Sequence, residues 1–457
     1  MGNARARKVP AQLVEDEDYQ LRCERVAGID VAKAKADVCT RLPPAEPGGR
    51  RRSRVEEVPA TARDILALAG RLLADGAELV AMESTSDYRR IWYYLLEGAG
   101  LRVQLVNPAH ARQLAGRPKT DRLDAQWIAR LTEMGLLRPS FVPPPEIRVL
   151  RDLTRTRLQL VRDRTREWQR LEKLLEGALV KLSSALSSLA GTRTARDVLQ
   201  ALADGETSPR ALAGLASARV KGGRQAVGRS LDGMQVQPHH RRLIRVHLDH
   251  VAFLDREVSA LDDEIAAALD AIPAAAGISA DGVPSPDPGP GARVLPAAQR
   301  LAEIPGMSPE LARAVIAGTG LDMTRFPTAG HLVSWAGLAP VARQSGPRTG
   351  KPKKGHGNAC LRGYCTQAAN GAARTDTFLG ERVRRLSRRL GGNKAKCAVA
   401  RSVLVITWHL LADPEARFHD LGPGWHHRKT SRDRTIRTCL RQLHALGLTV
   451  ELTDTAA

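Results

Sequence analysis

Two aspartates three residues apart, Asp121 and Asp124 in the stretch KTDRLDAQ, open a run whose apolar positions continue through Trp127, Ile128 and Leu131. On a helix they share one face, with Cβ atoms roughly 5–6 Å apart. At about 4 Å and an effective dielectric near 20, two carboxylates repel by on the order of 4 kcal/mol unless a cation sits between them or one takes up a proton. The pair is therefore a candidate metal site. Taken alone it also fits a plain first helical turn, with acids favoured by the helix dipole and ion pairs to Lys119 and Arg122.

Two further acids close apolar strands: Asp30 ends VAGID, and Glu83 follows the run Glu78, Leu79, Val80, Ala81, Met82. Open α/β sheets place their sites at the carboxyl ends of strands. Asp30, Glu83, Asp121 and Asp124 can then converge as hard oxygen ligands for Mg²⁺ or Mn²⁺. Two such ions about 3.5–4 Å apart clamp the attacking and leaving oxygens in phosphoryl transfer. No histidine or thiolate suited to zinc adjoins these acids in sequence. Asp37 and Asp87 are nearby alternatives, ranked lower because neither ends an expected strand.

A third chemical feature lies far downstream, in the glycine-rich basic stretch 341–358. Ser345 stands there among Arg343, Gln344, Gly346 and Arg348, with Lys351, Lys353 and Lys354 following and Arg362 in the next helix. A serine needs a base, neighbouring positive charge or a metal-bound phosphate to act as a nucleophile. The loop offers arginines to a phosphate with Oγ left to attack, although composition alone favours a solvated loop serine.

The elements that must position these residues follow from spacing. Strands at 26–32, 36–41 and 55–58, a helix over 61–77, the strand ending at Glu83, a helix through Trp92 and Leu96, a strand at 101–106 and the helix of Asp121 make a mixed sheet flanked by helices. Residues 1–22 read as a basic arm, 23–142 as the α/β domain, and 139–147 (PSFVPPPEI) as a rigid boundary. From 148 to 270 two long helices with three/four apolar spacing suggest an antiparallel coiled coil around a less regular insert at 183–240. Arg157 and Arg164 interrupt the first seam, as a solvated break or a phosphate contact. Residues 271–295 are a flexible linker by composition. The mainly α region 296–417 starts with a helix, a Pro-Gly turn and a helix, resembling a helix-hairpin-helix whose turn amides meet phosphate. Residues 418–457 form an extension.

The balance of charge names a partner class. Across 457 residues, 70 Lys and Arg face 49 Asp and Glu, for a net charge of +21. Neutralising phosphates and releasing counterions gives such a chain affinity for a polyanion. From Val341 to the end there are 22 Lys and Arg against 8 Asp and Glu, so two-thirds of the excess lies in the last quarter. No apolar run of membrane-spanning length and no secretory leader is visible, which leads to the expectation of a cytoplasmic, nucleoid-associated protein without a membrane partner. The six scattered cysteines support neither a disulfide framework nor a zinc ribbon, and Cys360, Cys365 and His356 are a poor zinc set.

The ordered motifs GIDVAK with Asp30, MESTSDY with Glu83, NP, KTDRLDA, IPGM, WAGLAP, RQSG and GHGN-ACLR resemble the bridge-RNA-guided transposases. This is the insertion-sequence family IS-one-ten, related to the Piv-type DNA invertases, and the resemblance runs from about Val26 to Arg417. It implies a RuvC-like (RNase H-like) DEDD domain at the N-terminus, a coiled-coil segment used in assembly of a dimer or tetramer, and a C-terminal transposase domain. It implies that Asp30, Glu83, Asp121 and Asp124 hold metal, and that Ser345 attacks DNA to form a transient phosphoserine link. It further implies a structured non-coding guide RNA that pairs with donor and target DNA, so that base pairing reads sequence. Family members often carry two serines before the glycine, whereas Gln344 precedes Ser345 here. A RuvC-like nuclease or junction resolvase using water is the alternative enzyme. A nucleic-acid binder with merely structural acids is the non-enzymatic one.

Overall fold

The computed structural model describes residues 22–47, 49–83, 87–107, 121–345, 348–354, 357–425 and 432–450; within these, the side chains of 121, 341–345, 348–354 and 432–435 lie outside the description. The chain divides into two compact units, Met1–Val142 and Pro143–Ala457.

The first unit is built on a five-stranded sheet in the order β3-β2-β1-β4-β5. Strands β1 (Val26–Val31), β2 (Lys35–Leu42) and β3 (Arg52–Pro59) form an antiparallel meander. Helix α1 (Ala62–Ala74) then leads to β4 (Leu79–Glu83), and α2 (Arg89–Gly98) to β5 (Val103–Val106), with β4 parallel to β1 and β5 parallel to β4. The period-2 alternation sorts the side chains into two faces. Ala27, Ile29, Val38, Val80 and Met82 meet Ile65, Leu68 and Leu72 of α1 and Trp92 and Leu96 of α2 in one core. The other face, with Val26, Cys39, Leu79 and Ala81, is covered by α3 (Asp121–Glu133) through Ala125, Ala129, Ile128 and Leu131.

Gly28 is what lets α3 lie so close to β1. A Cβ at Gly28 would stand 2.3 Å from the Ala129 nitrogen and 2.4 Å from the Ala125 carbonyl oxygen, both backbone atoms of α3. The far end of α3 is anchored by charge. Glu133, with a side chain only 2% exposed, accepts from Arg41 Nε at 2.8 Å and from Arg51 Nη2 at 2.7 Å. Its carbonyl also accepts from the Arg22 backbone N–H at 2.8 Å, just before β1 begins. Helix α3 therefore runs antiparallel to β1, and its first turn is delivered to the carboxyl end of that strand.

The second unit is mostly helical. Helices α4 (Pro145–Gly177) and α8 (Pro238–Asp270) pair antiparallel, as the spacing suggested. Arg157 and Arg164 are neither a solvated break nor open phosphate contacts. Arg157 Nη2 donates to Asp262 at 2.8 Å and Arg164 Nη1 to Asp255 at 2.6 Å, bridging the two long helices. Between them α5 (Arg193–Asp204), α6 (Pro209–Gly214) and α7 (Gly223–Leu231) pack Val198, Leu202, Leu212, Val227 and Leu231 against Trp168, Leu171 and Leu175. The stretch expected as a linker carries local structure instead: Gly277–Ile278 pairs with Pro284–Ser285, and Ile278 bridges to Val294.

Next come α9 (Ala297–Ala302), α10 (Pro309–Thr319) and α11 (Ala329–Trp335). After the hairpin of β6 (Pro340–Ser345) and β7 (Arg348–Lys354) lie α12 (Ala359–Ala372), α13 (Phe378–Leu390), α14 (Gly392–Ala412) and α15 (Arg432–Ala445). The glycine of the α9–α10 turn has a packing role. Gly306 takes φ +82°, and a Cβ there would stand 2.2 Å from the Ala368 carbonyl oxygen of α12. By length and composition α14 is the one described helix that passes for a membrane span, but Val399, Ala400, Val403 and Leu404 are buried in the helical core.

Candidate active site

Asp30 and Glu83 stand side by side. In the parallel ladder Ile29 is the partner of Met82, so the next residue on each strand is one of the two acids, on strands about 4.8 Å apart. Both fall on the face covered by α3, because Gly28 and Ala81 precede them by two residues. Glu83 is 4% exposed and Asp30 half-buried.

Helix α3 brings the second pair of acids to the same edge. Gly28 sits beneath the span from Ala125 to Ala129. From the middle of that span, Asp124 lies about 4.5 Å and Asp121 about 9 Å further along, at 1.5 Å per residue. Asp30 lies roughly 6.6 Å beyond Gly28 along the strand, between those two levels. Asp124 is half-buried; Asp121 is the first residue of α3, and its side chain lies outside the described residues. Among the described side chains no group of three His, Cys, Asp or Glu is arranged to hold one ion. The convergence is thus a matter of backbone register and helix placement.

A fifth carboxylate belongs to this edge. Asp37 is the cross-strand partner of Asp30 in the antiparallel β1/β2 ladder and is 6% exposed. Directly opposed residues point to the same face, with Cβ atoms about 4.5–5.5 Å apart, and like charges there are unfavourable. Ranking acids by strand ends alone places Asp37 below the other four. Counting outward from the turn at 32–34 pairs Val31 with Ala36 and then Asp30 with Asp37, and this sets it beside Asp30. Asp87 is elsewhere in character: its side chain is 83% exposed and pairs with Arg90 at 3.5 Å.

All these donors are carboxylates, which suits Mg²⁺ or Mn²⁺. The thiol on the same face is unsuited to ligation. Cys39 is buried opposite Gly28, and burial raises its pKa against the smaller opposing effects of the Ser53 hydrogen bond and Arg41.

The basic stretch expected as a loop has a strand hairpin as its backbone. Ser345 pairs with Arg348 across the ladder, Gln344 with Thr349 and Arg343 with Gly350, while Lys351, Lys353 and Lys354 lie on the returning strand. Residues 346 and 347 and the side chains of Arg343, Ser345, Arg348, Lys351, Lys353 and Lys354 lie outside the described residues. The root of the hairpin is set by two small residues. A Cβ at Gly357 would stand 2.5 Å from the Gly337 nitrogen and 2.6 Å from the Trp335 carbonyl oxygen, which ties GHGN to WAG. Asn358 then caps α12, its Oδ1 accepting from the Leu361 N–H at 3.1 Å. Arg362 is half-buried on the first turns of that helix. Cys365, also on α12, is buried, and that burial pushes its thiol up to about 12, which keeps it protonated and a poor nucleophile at neutral pH.

Two family models match this chain. A DEDD-type IS110 transposase model covers residues 27–180, and the model for the transposase IS116/IS110/IS902 family covers residues 298–384. The uncharacterized 44.8 kDa protein of insertion element IS116 from Streptomyces clavuligerus is 29% identical over 255 residues, 51% of this chain and 56% of its own length. The uncharacterized 42 kDa protein of insertion element IS900 from Mycobacterium paratuberculosis is 29% identical over 361 residues, 75% of this chain and 84% of its own. Thermus thermophilus RuvC, alone and in complex with Holliday junction substrate, aligns with TM-score 0.20 and 20% identity, over 25% and 26% of this chain and 99% of each solved chain.

Proposed function

For a chain that belongs to the IS110/IS116/IS902 family of transposases, we propose the function of a DNA recombinase that cuts and rejoins strands through a phosphoserine intermediate. The observation that carries the metal half of this reading is the neighbouring placement of Asp30 and Glu83 on paired parallel strands, with the first turn of α3 over the same face. Asp30, Glu83, Asp121 and Asp124 would hold Mg²⁺ or Mn²⁺, and Asp37 adds negative charge that makes a bound cation more favourable. The bound ions would supply charge neutralisation for the phosphate and for the attacking and leaving oxygens.

The chain's own part in the chemistry is assigned to the hairpin. Ser345 Oγ attacks the scissile phosphorus and the hydroxyl of the leaving DNA end departs with a proton, leaving the phosphate linked to the serine. Attack by a hydroxyl of another strand reverses the step and frees Ser345, with no net hydrolysis. Arg343 and Arg348 beside it, and Lys351, Lys353, Lys354 and Arg362 beyond, bind phosphate oxygens. We assign a structured non-coding guide RNA to pair with donor and target DNA, and a dimer or tetramer as the working assembly with the long helices α4 and α8 at its contacts.

A covalent trap tests the reading. Wild-type protein with duplex DNA and Mg²⁺ yields a denaturation-resistant protein–DNA adduct, and both Ser345→Ala and Asp30→Asn abolish it. A second reading, a RuvC-like nuclease or junction resolvase with water as nucleophile, draws support from the acids lying wholly within the unit Met1–Val142, which does not contain Ser345. Strand cleavage that persists in Ser345→Ala and is lost in Asp30→Asn selects it. Sequencing the nucleic acid that copurifies with the protein tests the guide RNA.

A further inference from the structure

The most concentrated positive charge outside the hairpin is on α13 and α14. Between 382 and 412 the chain carries eight Lys and Arg and no Asp or Glu. Helix α13 buries Leu379, Val383 and Leu386 on one face, and Gly380 lets it pass close to the chain before it, where a Cβ would stand 2.1 Å from the Thr375 carbonyl oxygen. Its other positions leave Arg385, Arg388 and Arg389 exposed and Arg382 half-buried; Arg401 of α14 is exposed as well.

Three of these guanidiniums are brought together from the two helices. Arg382 has its pKa lowered by burial first and then by the positive charges of Arg385 and Arg401. Its Nε is buried without a hydrogen-bond partner. Arg384, one turn away, is spent differently, donating to the Thr375 carbonyl at 3.0 Å and to Asp376 at 3.1 Å. Among the described residues no ion pair joins Arg382, Arg385 or Arg401 to an acid. Like charges held together without a counter-charge raise the energy of the free protein and await an anion.

We propose that Arg382, Arg385 and Arg401 form a second DNA-phosphate contact, separate from the Ser345 hairpin, which grips the backbone of duplex DNA while the acids and the serine act on it. Arg388, Arg389 and Lys394 extend it along the same pair of helices. The contact is sequence-independent, since guanidiniums on phosphates position a duplex without reading bases. It rests on the reading of DNA as the substrate.

The test is fluorescence anisotropy of the full chain with a labelled duplex of about 30 base pairs between about 50 and 200 mM salt, a range over which phosphate contacts show as a slope. The variants are Arg401→Gln, Arg382→Gln with Arg385→Gln, and Arg193→Gln as a control taken from an exposed pair with Asp197. Each lost contact lowers the slope of log K against log salt by about 0.9 and weakens binding roughly eightfold near 0.1 M salt. The Tm of Arg401→Gln stays level or rises, because repulsion is relieved. Wild-type slope and affinity in both arginine variants overturn the proposal, as does a Tm that falls together with affinity, or a loss confined to duplex RNA of the same length. Wild-type protein that binds no duplex at all overturns the DNA reading itself, whereas normal wild-type binding with indifferent variants removes this contact alone.

Discussion

Gly28→Ala is the smallest change that should uncouple the sheet from α3. The new methyl would lie 2.3 Å from the Ala129 nitrogen and 2.4 Å from the Ala125 carbonyl, where ordinary contact begins at 3.4 Å. Neither obstacle is the flexible end of a side chain, so α3 as a body must retreat by about 1 Å. Overpacking of this kind costs about 1–3 kcal/mol. The larger effect falls on the acids, because α3 carries Asp121 and Asp124 whereas Asp30 and Glu83 stay with the strands. Metal ligands tolerate about ±0.2 Å, and a misplacement of about 1 Å costs on the order of a hundredfold in rate. The measurements are thermal unfolding, Mn²⁺ binding by titration calorimetry, and adduct formation. The expected outcome is a folded protein with a Tm lower by a few degrees, weakened Mn²⁺ binding and adduct formation down about a hundredfold. Wild-type Mn²⁺ affinity together with a wild-type Tm would refute the close packing of α3 on β1 and the proposed metal role of that face with it.

Other outcomes follow from single groups. Glu133→Ala leaves Arg41 and Arg51 facing a void where a side chain 2% exposed had paired with both, and it should cost about 3–5 kcal/mol in urea unfolding. Glu167 in α4 is opposed by its burial but held below the usual carboxylate range by the His247 hydrogen bond at 2.8 Å, with help from Arg170 and His250. A depressed folded pKa contributes stability above the unfolded value, near 4.5, that is lost as pH falls through the folded one. Glu167→Gln should therefore be less stable at pH 7 by about 1–3 kcal/mol, with the gap to wild type closing below pH 4 in denaturation curves. Thiol labelling of the native protein should modify the exposed Cys439 first and leave Cys365 unreacted until the chain is unfolded.

What was legible beforehand and what was not divides along physical lines. VAGID and LVAME are short apolar runs and ADVCTR an alternating one, each bounded by polar turns and too short for a helix, and the sheet's central strands followed from them. The existence of α4 and α8 and their antiparallel pairing were readable from three/four apolar spacing, whereas their ends were not: the spacing runs on to Leu182 although α4 stops at Gly177, and it begins at Leu243 although α8 starts at Pro238. Charged contacts were not, since sequence spacing does not say which acid an arginine meets 105 residues away, as Arg157 meets Asp262. Asp37 was named but ranked low, because its place beside Asp30 lies in register, a property of two strands and their turn. The hairpin Pro340–Ser345 and Arg348–Lys354 escaped because lysines, prolines and glycines obscure the alternation by which strands are recognised. Gly28 shows the converse. One hydrogen in place of a methyl is invisible to hydrophobic patterning, yet it determines how closely α3 approaches β1. The acids at the carboxyl ends of β1 and β4 could be named from sequence, whereas their distance from α3 depends on a residue with no side chain and on an anchor, Glu133, at the opposite edge of the sheet.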